Sequence, residues 1–264
     1  MNYEVTLLSI TGIIEQAGCN ILLPAFHSSV QTSTKADGSV VTETDLRCQH
    51  FIESELAKLD VSIALLGEEM TEEQQLHSLH SSQGSYWCLD PLDGTTNFST
   101  ALPAFAISLA LIENSQVQLA CIHDPVRQES FTARRGDGAH LNGHMICCSN
   151  ENEMANAVGF IDFKRLEKKI AKRIAAKRSY RSQRNIGTCA LEWAWLAAGR
   201  AQFIIHGGEK IWDFAAGSLI AQEAGCQVGN FLTEPLFPCQ KLSSSVLATC
   251  TPSLQRELQY QLEP

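Results

Sequence analysis

Beyond about residue 150 the chain alternates regularly between short apolar runs and longer segments with helical periodicity. The runs fall at residues 157–161, 181–186 and 202–206, and the helical patterns at 164–184, 188–198 and 213–224. Strands alternating with helices bury their apolar faces by stacking in layers, so a layered α/β unit is expected here. The first half has a different texture. Val5, Leu8, Ile13, Ile14, Ala17, Ile21 and Leu22 form a helical stripe ending near Pro24. A second helix is expected over 45–59, after a polar connector at 28–44. Strand-like runs follow at 61–66, 86–89, 105–112 and 117–122, the last two joined by the turn Glu113-Asn114-Ser115. Gly136-Asp137-Gly138 and Asn142-Gly143 are turn signals that close this half, dividing the chain into an N-terminal α+β half at 1–148 and a C-terminal α/β half at 149–264.

Composition narrows the function classes. With 44% hydrophobic and 19% charged residues, a chain of 264 buries enough apolar area to fold, which excludes a mainly disordered protein. Its longest apolar runs are expected to be too short to cross a bilayer, and Met1-Asn2-Tyr3-Glu4 lacks the positive start of a secretory signal. The ten cysteines are scattered without a Cys-x-x-Cys pair, most of them among apolar neighbours, which points to free thiols in a reduced, cytoplasmic setting. A net charge of −9 disfavours nucleic acid as a partner. Residues 164–184 nevertheless hold ten of the 20 basic residues and one acid, with Phe163, Leu166, Ile170 and Ile174 at helical spacing. This reads as an amphipathic helix with a solvated basic face, or else as a rim that attracts anions.

The candidate chemistry is acidic. Asp90-Pro91-Leu92-Asp93-Gly94-Thr95-Thr96 follows the apolar run Tyr86-Trp87-Cys88-Leu89, and Pro91 holds Asp90 extended so that its carboxylate projects past the strand end. Gly94 permits a tight bend and Thr95 can cap a helix whose first amides would cradle a phosphate. Gly67-Glu68-Glu69 also ends a strand-like run, Asp213 starts the helix after Trp212, and Asp45 opens another. An ordinary Asp-Pro turn and a set of helix caps would have the same sequence. If these acids converge, however, like charges at about 4 Å repel by roughly 4 kcal/mol at an effective dielectric near 20, and the cluster needs cations. Oxygen-only ligands suit a hard divalent ion, magnesium before zinc.

In this order, Asp45, Gly67-Glu68-Glu69, Asp90 to Thr95 and Trp212-Asp213-Phe214-Ala215-Ala216 resemble the magnesium-dependent, lithium-sensitive inositol monophosphatase family over nearly the whole chain. The resemblance implies an α-β-α-β-α sandwich of the inositol monophosphatase and fructose-1,6-bisphosphatase type, often a homodimer. It implies two to three Mg2+ per active site: Glu68, Asp90 and the Leu92 carbonyl on one, Asp90, Asp93 and Asp213 on a second, and a weaker third near Glu68 with Asp45 close by. Glu68, Thr95 and Asp45 would orient the attacking water, while the Gly94 and Thr95 amides, with Asp93 and Asp213, would meet the phosphate. Gly187 and Thr188 resemble the family's substrate-facing turn.

Substrate choice departs from the pattern. Seven residues before Asp213, where inositol-phosphate hydrolases usually carry Glu, stands His206, a substrate-wall candidate whose ring donates or accepts but need not be charged. Glu209 is expected to compensate if the Gly207-Gly208 bend turns it inward. The loop from Lys35 to Thr42 resembles that of bisphosphate nucleotidases and histidinol-phosphate hydrolases, and Lys35 meets phosphate, completes the metal site of a neighbouring subunit, or is an idle loop lysine. Cys189 replaces a common Ala, and Trp193 and Trp195 are expected in the core or an interface. The expected function is hydrolysis of a small phosphorylated polyol or sugar without a covalent phosphoenzyme. The alternatives are a 3′(2′),5′-bisphosphate nucleotidase and a non-catalytic metal- or phosphate-binding protein.

Overall fold

The computed structural model describes residues 2–28, 32–34, 40–81 and 84–262; Lys35 and most of its loop lie outside them. In chain order the elements are α1 (Tyr3–Ala17), a π-helical turn (Gly18–Leu22), α2 (Leu23–Phe26), β1 (Thr32–Thr34), β2 (Val40–Thr42), α3 (Glu43–Leu59), β3 (Ala64–Gly67), α4 (Glu72–Ser81), β4 (Ser85–Asp93), α5 (Thr95–Ser99), β5 (Ala106–Glu113), β6 (Gln116–Asp124), β7 (Glu129–Arg134), β8 (Ala139–Leu141) and β9 (His144–Ile146). After a short turn at Met154–Asn156 come β10 (Val158–Asp162), α6 (Lys168–Lys177), β11 (Ser182–Arg184), α7 (Cys189–Ala197), β12 (Phe203–Lys210), α8 (Ile211–Glu223), β13 (Gln227–Gly229), β14 (Ser243–Thr249) and α9 (Pro252–Leu262).

Among the described residues the strands form a β1-β2 ribbon, a seven-stranded sheet in the order 3-4-5-6-7-8-9, and a five-stranded sheet in the order 11-10-12-14-13. Side chains alternate across the larger sheet as strand geometry requires. Trp87 and Leu89 of β4 join the core under α1 and α3, whereas Tyr86 and Cys88 face the core shared with α7 and α8. The five-stranded sheet closes over α7 and α8, and Ile170, Ile174, Leu254 and Leu258 of α6 and α9 cover its outer face. The layering is α-β-α-β-α. Helix α8 is apolar all round because it lies between two sheets, and the core it anchors draws residues from both halves of the chain.

Several boundaries differ from the sequence reading. Residues 60–63 make a turn rather than the start of a strand, because Asp60 Oδ1 accepts the Ser62 amide at 2.9 Å, and Val61 is exposed. Pro24 does not end the first helix: it occupies the opening turn of α2, where no amide donor is required, so helical structure runs on to Phe26. The resulting helical stretch Tyr3–Phe26, 24 residues with hydropathy 1.4, is long and apolar enough to cross a membrane by length and composition, contrary to the expectation of no such span. Here its Ile10, Ile13, Ile14, Ala17 and Leu22 pack against α3 and the large sheet. The basic segment becomes helical only from Lys168, while Leu166, Ile170 and Ile174 are buried as their spacing indicates.

Candidate active site

Residues three apart on a regular strand face opposite ways, so Asp90 and Asp93 can share a face only if the strand is irregular. It is. Asp90 pairs with Ser108 and Asp93 with Ala106 on β5, three steps against two, and this bulge in β4 turns both carboxylates the same way. Strand β4 therefore continues through the motif, and Asp90 sits within the strand rather than past its end. Asp213 arrives as the third residue of α8, its Oδ2 accepting the Lys210 amide at 3.0 Å. The Ser108 hydroxyl donates to the Trp212 carbonyl at 3.1 Å and ties the start of α8 to the strand opposite Asp90. Asp90, Asp93 and Asp213 each present a carboxylate oxygen within 4.8 Å of the others.

Each acid is also fixed by local bonds. Asp90 Oδ1 accepts the Leu92 amide at 2.9 Å, while Asp93 Oδ2 accepts both the Thr188 hydroxyl and the Ala190 amide, the latter at 2.6 Å. Thr188 is thus committed to Asp93 as well as capping α7. Glu68 extends the parallel pairing of β3 with β4, its amide donating to the Leu89 carbonyl at 3.1 Å, which sets it beside Asp90. Two glutamines absent from the sequence reading hold this turn: Gln75 Nε2 donates to the Gly67 and Glu68 carbonyls, and Gln49 Oε1 accepts the Glu69 amide. At Gly67 a Cβ would lie 2.4 Å from Gln49 Oε1, so a larger residue there would displace the Gln49 side chain from the Glu69 amide. Asp45 is fully buried; it accepts the amide and hydroxyl of Thr42 through one oxygen and the Thr95 hydroxyl at 3.1 Å through the other.

The electrostatics are those of crowded acids out of water. Burial first, then the neighbouring charges of Glu68, Asp93 and Asp213, push the Asp90 carboxyl well above its usual range. Asp213 moves the same way through burial and then Asp93 and Glu68. Burial raises Asp93 to about 6 against the pull of its Thr188 and Ala190 bonds, and raises Asp45 against its hydroxyl and amide donors. An all-oxygen set that would otherwise take up protons matches a hard divalent cation, which neutralises the same charge without protonating the ligands.

Glu68, Asp93 and Asp213 line a cavity of about 590 Å3, with Asp90 and Asp45 buried beside it. At its edge Gly94, with φ +94° and a Cβ position only 3.0 Å from the Ala104 carbonyl, starts α5, whose first amides have no acceptor within the helix. Asn97, unforeseen in the sequence, binds the Ala104 and Ile186 carbonyls at 2.8 and 2.7 Å and so positions the exposed Gly187 turn across from α5. On the opposite wall His206 is buried. Its Nδ1 accepts the Gly208 amide at 3.1 Å, leaving the Nε2 proton directed at Asp162 Oδ2 at 3.4 Å. Asp162, aligned with His206 across β10 and β12, is held below the usual carboxylate range chiefly by that bond. The carboxylate missing from position 206 is thus replaced from the adjacent strand, joined on the wall by Glu192. Glu209 is turned inward but lies behind the wall, bonded to Trp193 Nε1 at 2.8 Å and pushed up to about 7 by burial. Trp193 is core, as expected, and Trp195 is half-buried under Arg127. Lys164, Arg165 and Lys210 stand at the rim.

The family model for the inositol monophosphatase family matches residues 7–261. The chain belongs to this family. Family membership brings a phosphatase-type, metal-dependent fold, and several relatives can be compared over most of their length. Nus factor SuhB of Escherichia coli is 34% identical over 208 residues, covering 77% of this chain and 76% of that protein. The fructose-1,6-bisphosphatase/inositol-1-monophosphatase of Thermotoga maritima is 34% identical, covering 73% and 72%. The crystal structure of the extragenic suppressor protein SuhB from Bartonella henselae superposes with a TM-score of 0.86 at 26% identity over 98% of both chains.

Proposed function

We propose that this family member is a magnesium-dependent phosphomonoesterase acting on a small, hydroxyl-rich phosphate ester. The observation that carries the reading is the convergence of Asp90, Asp93 and Asp213, next to Glu68, at the floor of a cavity edged by the start of α5. Glu68, Asp90 and the Leu92 carbonyl would hold one magnesium, Asp90, Asp93 and Asp213 another, with a third near Glu68 and Asp45. Magnesium, when bound, supplies charge neutralisation for the phosphate oxygens and a lower pKa for coordinated water.

The chain's own groups do the rest. Amides of Gly94 and Thr95 donate to phosphate oxygens. Thr95, its hydroxyl proton shared between Asp45 and the Leu92 carbonyl, presents oxygen lone pairs that accept a hydrogen bond from water oriented between it and Glu68. Asp162 and Glu192 offer acceptors to the hydroxyls of the alcohol, His206 orients Asp162 through its Nε2 proton, and Gly187 and Thr188 complete that side. No side chain is assigned a covalent role, because Asp90 and Asp93 have two residues between them where a phosphoaspartate pair needs one. The reading includes a cytoplasmic homodimer, which the ten free thiols suit, and two halves at 1–148 and 149–264 that meet at the metals.

A second reading rests on Lys164, Arg165 and Lys210 at the rim, which could neutralise a second phosphate and so favour an adenosine 3′(2′),5′-bisphosphate. Phosphate release from inositol monophosphates, fructose 1,6-bisphosphate, sugar phosphates and adenosine bisphosphates, each with magnesium, chelator and lithium, distinguishes them. Magnesium-dependent turnover of single-phosphate polyols supports the first reading and preference for the nucleotides the second. No hydrolysis in any arm would overturn both and leave a binding protein.

A further inference from the structure

A second cavity, of about 490 Å3, lies where the end of α1 and the π-helical turn meet the end of β6, and none of the clustered acids lines it. His123, only 6% exposed, forms one wall, and a chain of bonds sets which of its nitrogens carries the proton. The Ser130 hydroxyl donates its single proton to Glu15 Oε1 at 2.6 Å, since the carboxylate has none to give. The same oxygen can then only accept from His123 Nδ1, 2.9 Å away, so Nδ1 is the protonated nitrogen. Burial holds the imidazole below its ordinary range against the pull of Glu15 and Asp124, and the ring is neutral. Nε2 is therefore a lone pair. The Cδ2–Nε2 edge lies over Gly18, 2.9 and 3.1 Å from where a Cβ would stand, and among the described residues Nε2 has no hydrogen-bond partner.

The rest of the lining selects the ligand. Glu15 is exposed, and no Lys or Arg joins it on the cavity wall. Arg127, on the neighbouring loop, is engaged by Asp124 at 2.8 Å and by the Trp195 ring. Asn142 is occupied too, its Oδ1 accepting the Ser130 amide at 2.8 Å and its Nδ2 donating to the Gln128 carbonyl at 3.0 Å. Leu23 and Pro125 contribute apolar surface. A carboxylate and an imidazole lone pair without a cation beside them disfavour an anion and call for a positively charged donor. A metal ion is a poor match, because among the described residues only Asp90, Asp93 and Asp213 bring three such donor atoms close enough to share one. We infer that this cavity is a second ligand site, separate from the acidic centre, for a small organic ammonium ion. Its N–H donates to His123 Nε2, its charge is balanced by Glu15, and its hydrocarbon body covers Leu23 and Pro125. The cavity falls within the roughly 300–1,000 Å3 of small-molecule pockets.

The experiment uses the full-length protein with magnesium present, isotope-labelled at the histidine ring nitrogens, and benzylamine as the probe at neutral pH, where it is an ammonium ion. Before the probe is added, nuclear magnetic resonance should show His123 protonated at Nδ1. Benzylamine should then shift the Nε2 resonance saturably, with a Kd of about 1 mM. Benzyl alcohol, which keeps the ring and a donor but not the charge, should bind about tenfold more weakly, and benzoate not measurably. In calorimetric titrations Glu15→Gln, which can still accept the Ser130 proton, and His123→Phe should each weaken benzylamine about tenfold or more. Asp213→Asn, which removes a charge from the acidic centre, should leave its affinity unchanged. A resting ring protonated at Nε2, no saturable shift, benzoate binding as well as benzylamine, or binding lost in Asp213→Asn and kept in Glu15→Gln would each overturn the assignment.

Discussion

Asp93→Asn separates what the acidic cluster does for the metal from what it costs the empty fold. The folded carboxyl titrates at about 6, against 3.8 for the unperturbed group. A shift of this size corresponds to about 3 kcal/mol. The sign follows from linkage: the folded state holds the proton more tightly, so the stability is fully present below pH 3.8, is lost as pH rises through 6, and is absent at pH 7.5. Asparagine carries no charge at any of these pH values. Its Oδ1 can replace the one oxygen that serves both Thr188 and Ala190, and its amide then points donors at Asp90 and Asp213. In chelator at pH 7.5 the variant should therefore melt higher than wild type, by roughly 5–10 °C if the full difference is recovered, converging with it near pH 4. Added magnesium should raise the wild-type midpoint and leave the variant almost unmoved, while magnesium-dependent turnover falls by at least about 100-fold. Scanning calorimetry and a phosphate-release assay on the same preparations read both. Equal midpoints in chelator together with an undiminished magnesium shift would refute the electrostatic account and the metal assignment at once.

Three further outcomes follow from other parts of the molecule. His206→Glu should move the kcat/KM ratio toward inositol phosphates by about tenfold, measured as paired competition between esters, and an unchanged ranking would remove His206 from the substrate wall. Asn97→Ala strands the Ala104 and Ile186 carbonyls and should cost about 2–3 kcal/mol in urea denaturation, with KM rising as the Gly187 turn loosens; a loss below 0.5 kcal/mol, roughly the noise of such measurements, would show that solvent takes over those bonds. Gly217→Ala would set a Cβ 2.3 Å from that of Trp193 where α7 crosses α8. It should destabilise by about 2 kcal/mol or more, and a native-like melting curve would mean that the helices separate freely.

The acids were legible because carboxylates beside proline, glycine and tryptophan make an uncommon pattern, and their order alone shows which segments belong together. What aims them was not. The bulge between Asp90 and Asp93 depends on pairing with β5, and no local signal in the motif announces it. Gln49, Gln75 and Asn97 are ordinary polar residues whose partners lie in other elements, and Asp162 gains its place only by register with His206. The edges of the fold were missed for varied reasons. Strands β8, β9 and β13 are three residues each, too short to show alternation. Helix α9 could have been found, since Leu254, Leu258 and Leu262 recur at four-residue intervals and are all buried.

Helix α8 covers the inner face of the large sheet, yet it is encoded after every strand of that sheet. A nascent chain that has just delivered β9 therefore holds a seven-stranded sheet with one greasy side bare. At about 5–20 residues per second, the 75-odd residues from 148 to the end of α8 at Glu223 keep the ribosome occupied for several seconds. During that interval the half-made protein is a natural client for a holding chaperone. A stop codon placed between β9 and α8 should thus yield an insoluble fragment, whereas one placed just after α9 should not.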